Sequence, residues 1–502
     1  MANYILGIDQ GTTGTRAYFV DKEGRFYAGA YKEHRQIYPQ PGWVEHDPEE
    51  IWESVCGVVH QLLEEGAVRP GDIEGIGIAN QGETVMVWER ATGKPIYNAI
   101  VWQCRRTADM VEELRARPGL KAKVHQKTGV FIDSYFSAPK IRWILDHVPG
   151  AQARAEAGEL VAGTLDSWLI WKLTGGQEHV TDYTTASRTM LFNINTLEWD
   201  HEILDLFNIP RHMLARVLPT SGLFGTASMK GILGSGMPIT GSAVDQMCAL
   251  FGQTCFDKGN VKNTYGTGCF LFMNLGAEPI LSQSGILTTI GWGFEQEVTY
   301  AFDGGVYIAG AAVQWLRDGL GLISRAEETE ELAFSVPDSG GLFFVPAFAG
   351  LAAPYWDQYA RGTMVGITAA ITRAHLARAT LESIAYQVRN VVEAMEVDAG
   401  FKINVLRVDG GLTRNKFLMQ FQADILGIPI EVPAIPETTA LGAAYFAGLA
   451  TGFWSGLDEL RFMWRLEKRY EPVMTEQQRA NLYADWLRAV ERARGWERRH
   501  EE

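Results

Sequence analysis

Two short segments carry the residue types that phosphate chemistry needs. In Asp9-Gln10-Gly11-Thr12-Thr13-Gly14-Thr15-Arg16, Gly11 and Gly14 let the backbone turn tightly and present its N–H groups. Thr12, Thr13 and Thr15 add hydroxyl donors, and Arg16 adds a fixed positive fork. Asp9 ends an apolar run over residues 4–8, a position from which a carboxylate can hold a hydrated Mg2+. The competing reading is a plain hairpin with glycines for geometry. The second segment, Asn263-Thr264-Tyr265-Gly266-Thr267-Gly268, repeats the type in the other half of the chain. Two such loops, one per half, are what a nucleotide phosphate chain clamped between two domains requires. Asp245, in Gly241-Ser242-Ala243-Val244-Asp245-Gln246, is placed to accept a proton from a substrate hydroxyl; a helix N-cap aspartate is the equal alternative. Glu83, in Asn80-Gln81-Gly82-Glu83-Thr84, either binds hydroxyls or is a solvated loop acid. Trp102, Tyr135 and Phe270 either line a small polar-organic pocket or belong to the core, as most large aromatics do.

Other signatures are missing. Gly93-Lys94 runs into Pro95, so there is no Walker A loop. Gly75-Ile76-Gly77-Ile78-Ala79-Asn80 lacks the third glycine of a dinucleotide fingerprint and reads as glycines in a packed strand. The histidines form no triad or metal pattern, and no HExxH occurs. Cys104, beside Arg105-Arg106, reads as a buried thiol next to surface arginines.

The elements that must position these residues alternate between strand and helix. Residues 4–8, 17–20 and 25–30 read as a meander of short strands with glycine turns. Asp47-Pro48-Glu49-Glu50 opens a helix with Ile51, Val55, Val58, Val59, Leu62 and Leu63 as its apolar stripe. A buried strand is expected over 73–79 and helices over 137–147 and 165–173. In the second half, strands are expected at 261–265, 269–273, 341–346 and 404–409, and helices at 306–317 and 373–394. The charged tail after residue 475 reads as a surface helix. Mixed strands and helices predict α/β layers. The Gly/Pro/Ser-rich stretch 219–241 marks the boundary, giving domains 1–240 and 241–502.

The chain has 502 residues, enough for two to four domains at about 100–200 residues each, and a formal charge of −15. Such an acidic surface repels phosphate backbones and anionic lipid, so nucleic acid and membrane surfaces are poor partners. Five cysteines without CxxC spacing disfavour a disulfide framework or structural zinc. The amino terminus lacks a basic leader pattern, and the expectation is a reduced, cytoplasmic protein.

Taken together, these residues resemble the FGGY carbohydrate kinases, and within that family its glycerol-phosphorylating branch. Further markers are Pro41-Gly42-Trp43-Val44-Glu45-His46-Asp47-Pro48, Ile100-Val101-Trp102-Gln103-Cys104-Arg105-Arg106-Thr107, the stretch from Tyr135 through Lys140 to His147, Ala353-Pro354-Tyr355-Trp356-Asp357, and the run from Gly410-Gly411 through Asn415 to Asp424. The resemblance implies two actin-like (ribonuclease H-like) domains with mixed sheets around a deep cleft, and transfer of a phosphoryl group from ATP to the terminal hydroxyl of a polyol. It implies Asp245 as general base and Asp9 as the Mg2+-associated acid. Thr12, Thr13, Gly14 and Arg16 would meet phosphates from one domain and Gly266 and Thr267 from the other. Gly310, Gln314, Gly411 and Asn415 would surround the nucleotide. Gly82, Glu83, Trp102, Tyr135, Asp245, Gln246 and Phe270 would form the polyol pocket. A homodimer or homotetramer is expected, with a small polyol as its partner molecule.

Two departures matter. Family members usually read Asn-Gln-Arg-Glu-Thr, with that arginine on substrate hydroxyls; here Gly82 stands in its place. Either glycerol use is weakened, with a water or another arginine filling the gap, or the substrate is longer: erythritol, xylitol or xylulose. Gly236 replaces an arginine found in relatives inhibited by fructose 1,6-bisphosphate, so weak or absent inhibition is expected. An actin- or chaperone-like ATP switch would share the two loops but need no polyol pocket.

Overall fold

The computed structural model describes residues 3–66, 68–228, 233, 236–295 and 297–497. The opening apolar run forms β1 (Tyr4–Gln10), which turns back through β2 (Gly14–Asp21) and β3 (Phe26–Glu33). Ile5, Leu6 and Ile8 are all fully buried, because both faces of the strand are covered. Helix α1 (Pro48–Gly66) covers one face; it starts where Asp47 accepts from the Glu49 amide at 2.9 Å and buries Ile51, Val55, Val58, Val59 and Leu62. Three further strands, β4 (Ile73–Asn80), β5 (Ser221–Ala227) and β6 (Met237–Val244), complete a sheet of order β5-β6-β4-β1-β2-β3. Within it, β1, β4 and β6 run parallel, with Gln10 opposite Asn80 and Asn80 opposite Val244. Their carboxyl ends therefore meet on one edge, and whatever follows each strand is brought together there.

The second half repeats the plan. Strands β7 (Val261–Tyr265), β8 (Cys269–Gly276), β9 (Leu287–Gly293), β10 (Val298–Val306), β11 (Leu406–Asp409), β12 (Ile430–Pro433) and β13 (Leu466–Tyr470) form a sheet of order β9-β10-β8-β7-β11-β12-β13. The hairpin β7–β8 stands where β1–β2 stands in the first lobe, and β11 runs parallel to β7 as β4 does to β1. This is the pair of ribonuclease H-like lobes the resemblance implied.

Helix α2 (Asp245–Gly252) and helix α3 (Thr438–Thr451) cross between the lobes. They approach backbone to backbone, since a Cβ on Gly442 would lie 1.9 Å from the Cys248 carbonyl oxygen, and α3 lies as close to β4, where a Cβ on Gly77 would be 2.0 Å from the Ala443 carbonyl oxygen. Gly77 is thus the packed-strand glycine anticipated.

Several expectations need correction. β6 ends at Val244, so a division at 240/241 would run through a strand of the first sheet. Of the stretch 219–241, residues 229–232, 234 and 235 lie outside the described residues. The helix expected from 306 begins instead with α4 (Gly310–Gln314), because Val306 is held in the sheet opposite Cys269. The tail forms α5 (Glu476–Ala493), but it is not merely a surface helix: Tyr483, Trp486, Ala489, Val490 and Ala493 are buried, and the Trp486 indole donates to Asn390 at 2.9 Å. Of the two arginines beside Cys104, Arg105 is exposed, whereas the Arg106 side chain is fully buried. The Glu45 carboxylate at 2.6 Å neutralises it, and the rings of Trp43 and Trp143 lie 4.0 and 4.6 Å from its guanidinium carbon.

Candidate active site

The three parallel strand ends of the first lobe set out the carboxylates. Asp9, on β1, is paired across the hairpin with Arg16, whose Nη1 lies 3.9 Å from its carboxylate. Burial lifts the Asp9 carboxyl to about 6 against the pull of Arg16. Asp245 follows β6 and is the first residue of α2. It is not the cap: Val244 holds that position, and Asp245 accepts instead from the amide of Gln246 at 2.7 Å. Burial, reinforced by the carboxylates of Asp9 and Glu83, lifts Asp245 to about 7, while Lys262 opposes the rise. A carboxyl poised near neutrality is well matched to taking a proton from an alcohol.

Glu83 follows β4 and is buried, not a solvated loop acid; the Arg188 Nε donates to it at 2.6 Å. The Trp102 indole donates to the Thr12 hydroxyl at 3.0 Å, which fastens the aromatic wall to the first phosphate loop. Tyr135 packs edge-on against Trp102, ring centroids 5.6 Å apart. Gln246 accepts from the buried Lys262 ammonium at 2.5 Å. Phe270 sits half-buried on β8 opposite Thr264 and Gly305, packed against the cluster that contains Val244. At Gly82, a Cβ would meet the Val244 methyls at 3.0 and 3.1 Å and the Arg188 Cγ at 3.3 Å. The missing side chain therefore leaves no void at its root.

In the second lobe, Gly266 and Thr267 are exposed at the tip of the β7–β8 hairpin. The amides of Gly310 and Ala309 donate to their carbonyls at 3.0 and 2.9 Å, tying the loop to the start of α4. A Cβ on Gly310 would lie 2.6 Å from the Gly266 carbonyl oxygen. Gln314 is exposed one turn further on. Gly411 follows β11, and its neighbour Leu412 reaches within 3.7 Å of the Gly310 Cβ position. Asn415 accepts from the Leu418 amide at 2.9 Å and so caps the helix Lys416–Leu426. Gly266, Thr267 and Gly310 are thus brought together, with Leu412 beside them. A cavity of about 570 Å3 lies at the opposite ends of β7 and β11, lined by Lys258, Phe401 and Arg407, and shares no residue with the site.

Against known families, residues 4–252 match the FGGY family of carbohydrate kinases, N-terminal domain, and residues 261–451 match its C-terminal domain. The chain belongs to the FGGY family of carbohydrate kinases. It is 58% identical to glycerol kinase 2 of Thermotoga maritima, over 99% of this chain and 100% of that one. It is 57% identical to the glycerol kinase of Symbiobacterium thermophilum, over 98% and 99%. The glycerol kinase of Plasmodium falciparum, solved with ADP, superposes with a TM-score of 0.93 at 38% identity, covering 98% of each chain.

The sequence reading of this FGGY kinase missed four charged residues at the site. Arg188 joins Glu83 and, through Nη2 at 2.8 Å, Asp303 of the second lobe. Lys262 holds Gln246, and Lys140, buried and lowered by that burial to about 7, donates to the Tyr135 carbonyl. A signal existed for Arg188, which interrupts a run of small and apolar residues, where a charge is tolerated only if paired. Gly236 lies exposed with its backbone at φ +105° and open space around it, while Gly234 and Ser235 lie outside the described residues.

Proposed function

We propose that this chain is an ATP-dependent glycerol kinase, forming sn-glycerol 3-phosphate and ADP. One observation supports the reading: Asp245 follows β6 at the strand ends, near enough to Asp9 and Glu83 that their carboxylates help burial hold its own carboxyl near neutrality, at about 7. Phosphoryl transfer asks mainly for positioning and charge neutralisation. The Gly11–Gly14 turn with Thr12, Thr13 and Arg16 would present donors to the phosphates from one side, and Gly266 and Thr267 from the other. Asp245 would take the proton of the attacking hydroxyl. Glu83, Gln246, Trp102, Tyr135 and Phe270 would hold the polyol and exclude water, so that ATP is not lost to hydrolysis.

Among the described residues no cluster of three or more His, Cys, Asp or Glu awaits a metal. The Asp9 carboxylate fits Mg2+ as that ion is usually held, by one or two carboxylates with phosphate oxygens and water. Bound so, Mg2+ would neutralise charge developing on the phosphates. Gly82 argues for glycerol rather than a longer polyol, since Val244 and Arg188 fill the space at its root. No helix among the described residues is long and apolar enough to cross a membrane. We further propose a cytoplasmic homodimer or homotetramer, weak or absent inhibition by fructose 1,6-bisphosphate, and a lobe division beyond α2 rather than at 240. ADP release measured with glycerol, erythritol, xylitol and xylulose tests the substrate: glycerol should give the highest kcat/KM, and a preference for any of the others would overturn it.

A further inference from the structure

Arg188 carries a charge into the interior beside the candidate site. Its side chain is buried, Nε donates to Glu83 at 2.6 Å, and Nη2 donates to Asp303 at 2.8 Å. These two bonds fix the plane of the guanidinium. Nη1 is buried as well and has no hydrogen-bond partner. An unpaired donor on a buried charge is costly, so such a group calls for an acceptor that the protein alone does not provide. Its surroundings are those of the polyol pocket: the rings of Tyr135 and Phe136 lie 5.8 and 5.7 Å from the guanidinium carbon, and the side-chain stem lies over Gly82. Burial opposes the charge, but the two carboxylates outweigh it and hold the guanidinium protonated.

We infer that Arg188 reads a substrate hydroxyl through Nη1, the function that residue 82 cannot perform without a side chain. This inference rests on the polyol-kinase reading above. The guanidinium comes from the segment after Tyr183–Ser187 and crosses above the glycine, so its absence at one position of the chain is made good from another. The hydroxyl it reads is one that is not phosphorylated, because Asp245 is committed to the reacting one. Since Asp303 belongs to β10 of the second lobe, the same side chain ties substrate recognition to the seating of one lobe on the other.

The test compares the wild type with Arg188→Lys, which keeps a cation between Glu83 and Asp303 but removes the fork. The readouts are kcat/KM for glycerol and the inhibition constants of propane-1,2-diol and propane-1,3-diol, each lacking one hydroxyl. The expected result is a loss of about 10- to 100-fold on glycerol, with the inhibition constant of one diol unchanged within about twofold. Equal losses on glycerol and on both diols would make Arg188 a brace and overturn the inference. If Arg188→Lys does not fold, the charge-balanced pair Arg188→Gln with Asp303→Asn is read in the same way. If neither folds, Arg188 is a core residue and the inference falls. A wild type that releases no ADP with glycerol would instead sink the proposed function, a separate outcome visible before any variant is made.

Discussion

The two lobes share a hairpin and a parallel strand beside it, yet their strand-end acids are treated in opposite ways. In the second lobe, Asp409 at the end of β11 accepts from Gln253 Nε2 at 2.9 Å and from the Thr438 hydroxyl at 2.6 Å. Its hydrogen-bonding capacity goes into joining that lobe to α2 and α3. In the first lobe, Asp9 meets only the edge of Arg16 at 3.9 Å, and Asp245 accepts a single neighbouring amide, so both carboxyls are raised by burial. The same fold thus spends one acid on architecture and leaves two under-satisfied for chemistry. Under-satisfaction, more than position, separates the end proposed for chemistry from the supporting one.

Exchanging the acids for amides should split the lobes. Asp9→Asn is expected to lower kcat by about 10²–10³ with little change in the unfolding midpoint, the scale typical of removing one preorganised electrostatic group. Asp409→Asn is expected to do the reverse, costing about 1–3 kcal/mol of stability in denaturant unfolding while kcat stays within about twofold. Activity loss in both would erase the distinction.

Acidity should act on the same contrast. Asp245 at about 7 and Asp9 at about 6 must be ionised to work, so kcat/KM should fall about tenfold per pH unit below neutrality. Stability should run the other way. Carboxyls raised in the folded state bind protons more tightly than the unfolded chain does. They therefore favour folding below about pH 4, the unfolded-chain value, and lose that contribution as pH rises toward 7. A pH–rate profile beside thermal unfolding curves checks both signs. A smaller, lobe-specific change is expected of Gly310→Ala, whose methyl would press on the Gly266 carbonyl: KM for ATP should rise several-fold, to about tenfold, with KM for the polyol unmoved. Smallest of all, Trp102→Phe removes the bond to Thr12 and should cost about 2- to 10-fold in kcat/KM.

What the sequence made legible follows from locality. The Asp9–Arg16 and Asn263–Gly268 loops carry their turn glycines, hydroxyls and charge within a few residues, so the chemistry shows in the string. Asp245 stood out because small residues precede it. The Glu83–Arg188–Asp303 pairing does not show, because Glu83 and Arg188 are 105 positions apart and Asp303 belongs to the other lobe. The tail misled for a related reason. Its charges fill the outer face of α5, while Tyr483 and Trp486 are claimed by Asn390 on the long helix Arg373–Ala399. The expected boundary rests on a break in composition at the Gly/Pro/Ser-rich stretch 219–241, but that stretch contains β5 and the start of β6, both strands of the first sheet.

The central claim is that Asp245 deprotonates the alcohol held between the two loops. Glycerol-dependent ADP release by Asp245→Asn, measured beside the wild type at pH 8, tests it most directly. A fall of about 10²–10⁴ in kcat, with ATP still bound and the fold intact, is the predicted result. Turnover within a few-fold of the wild type would contradict it.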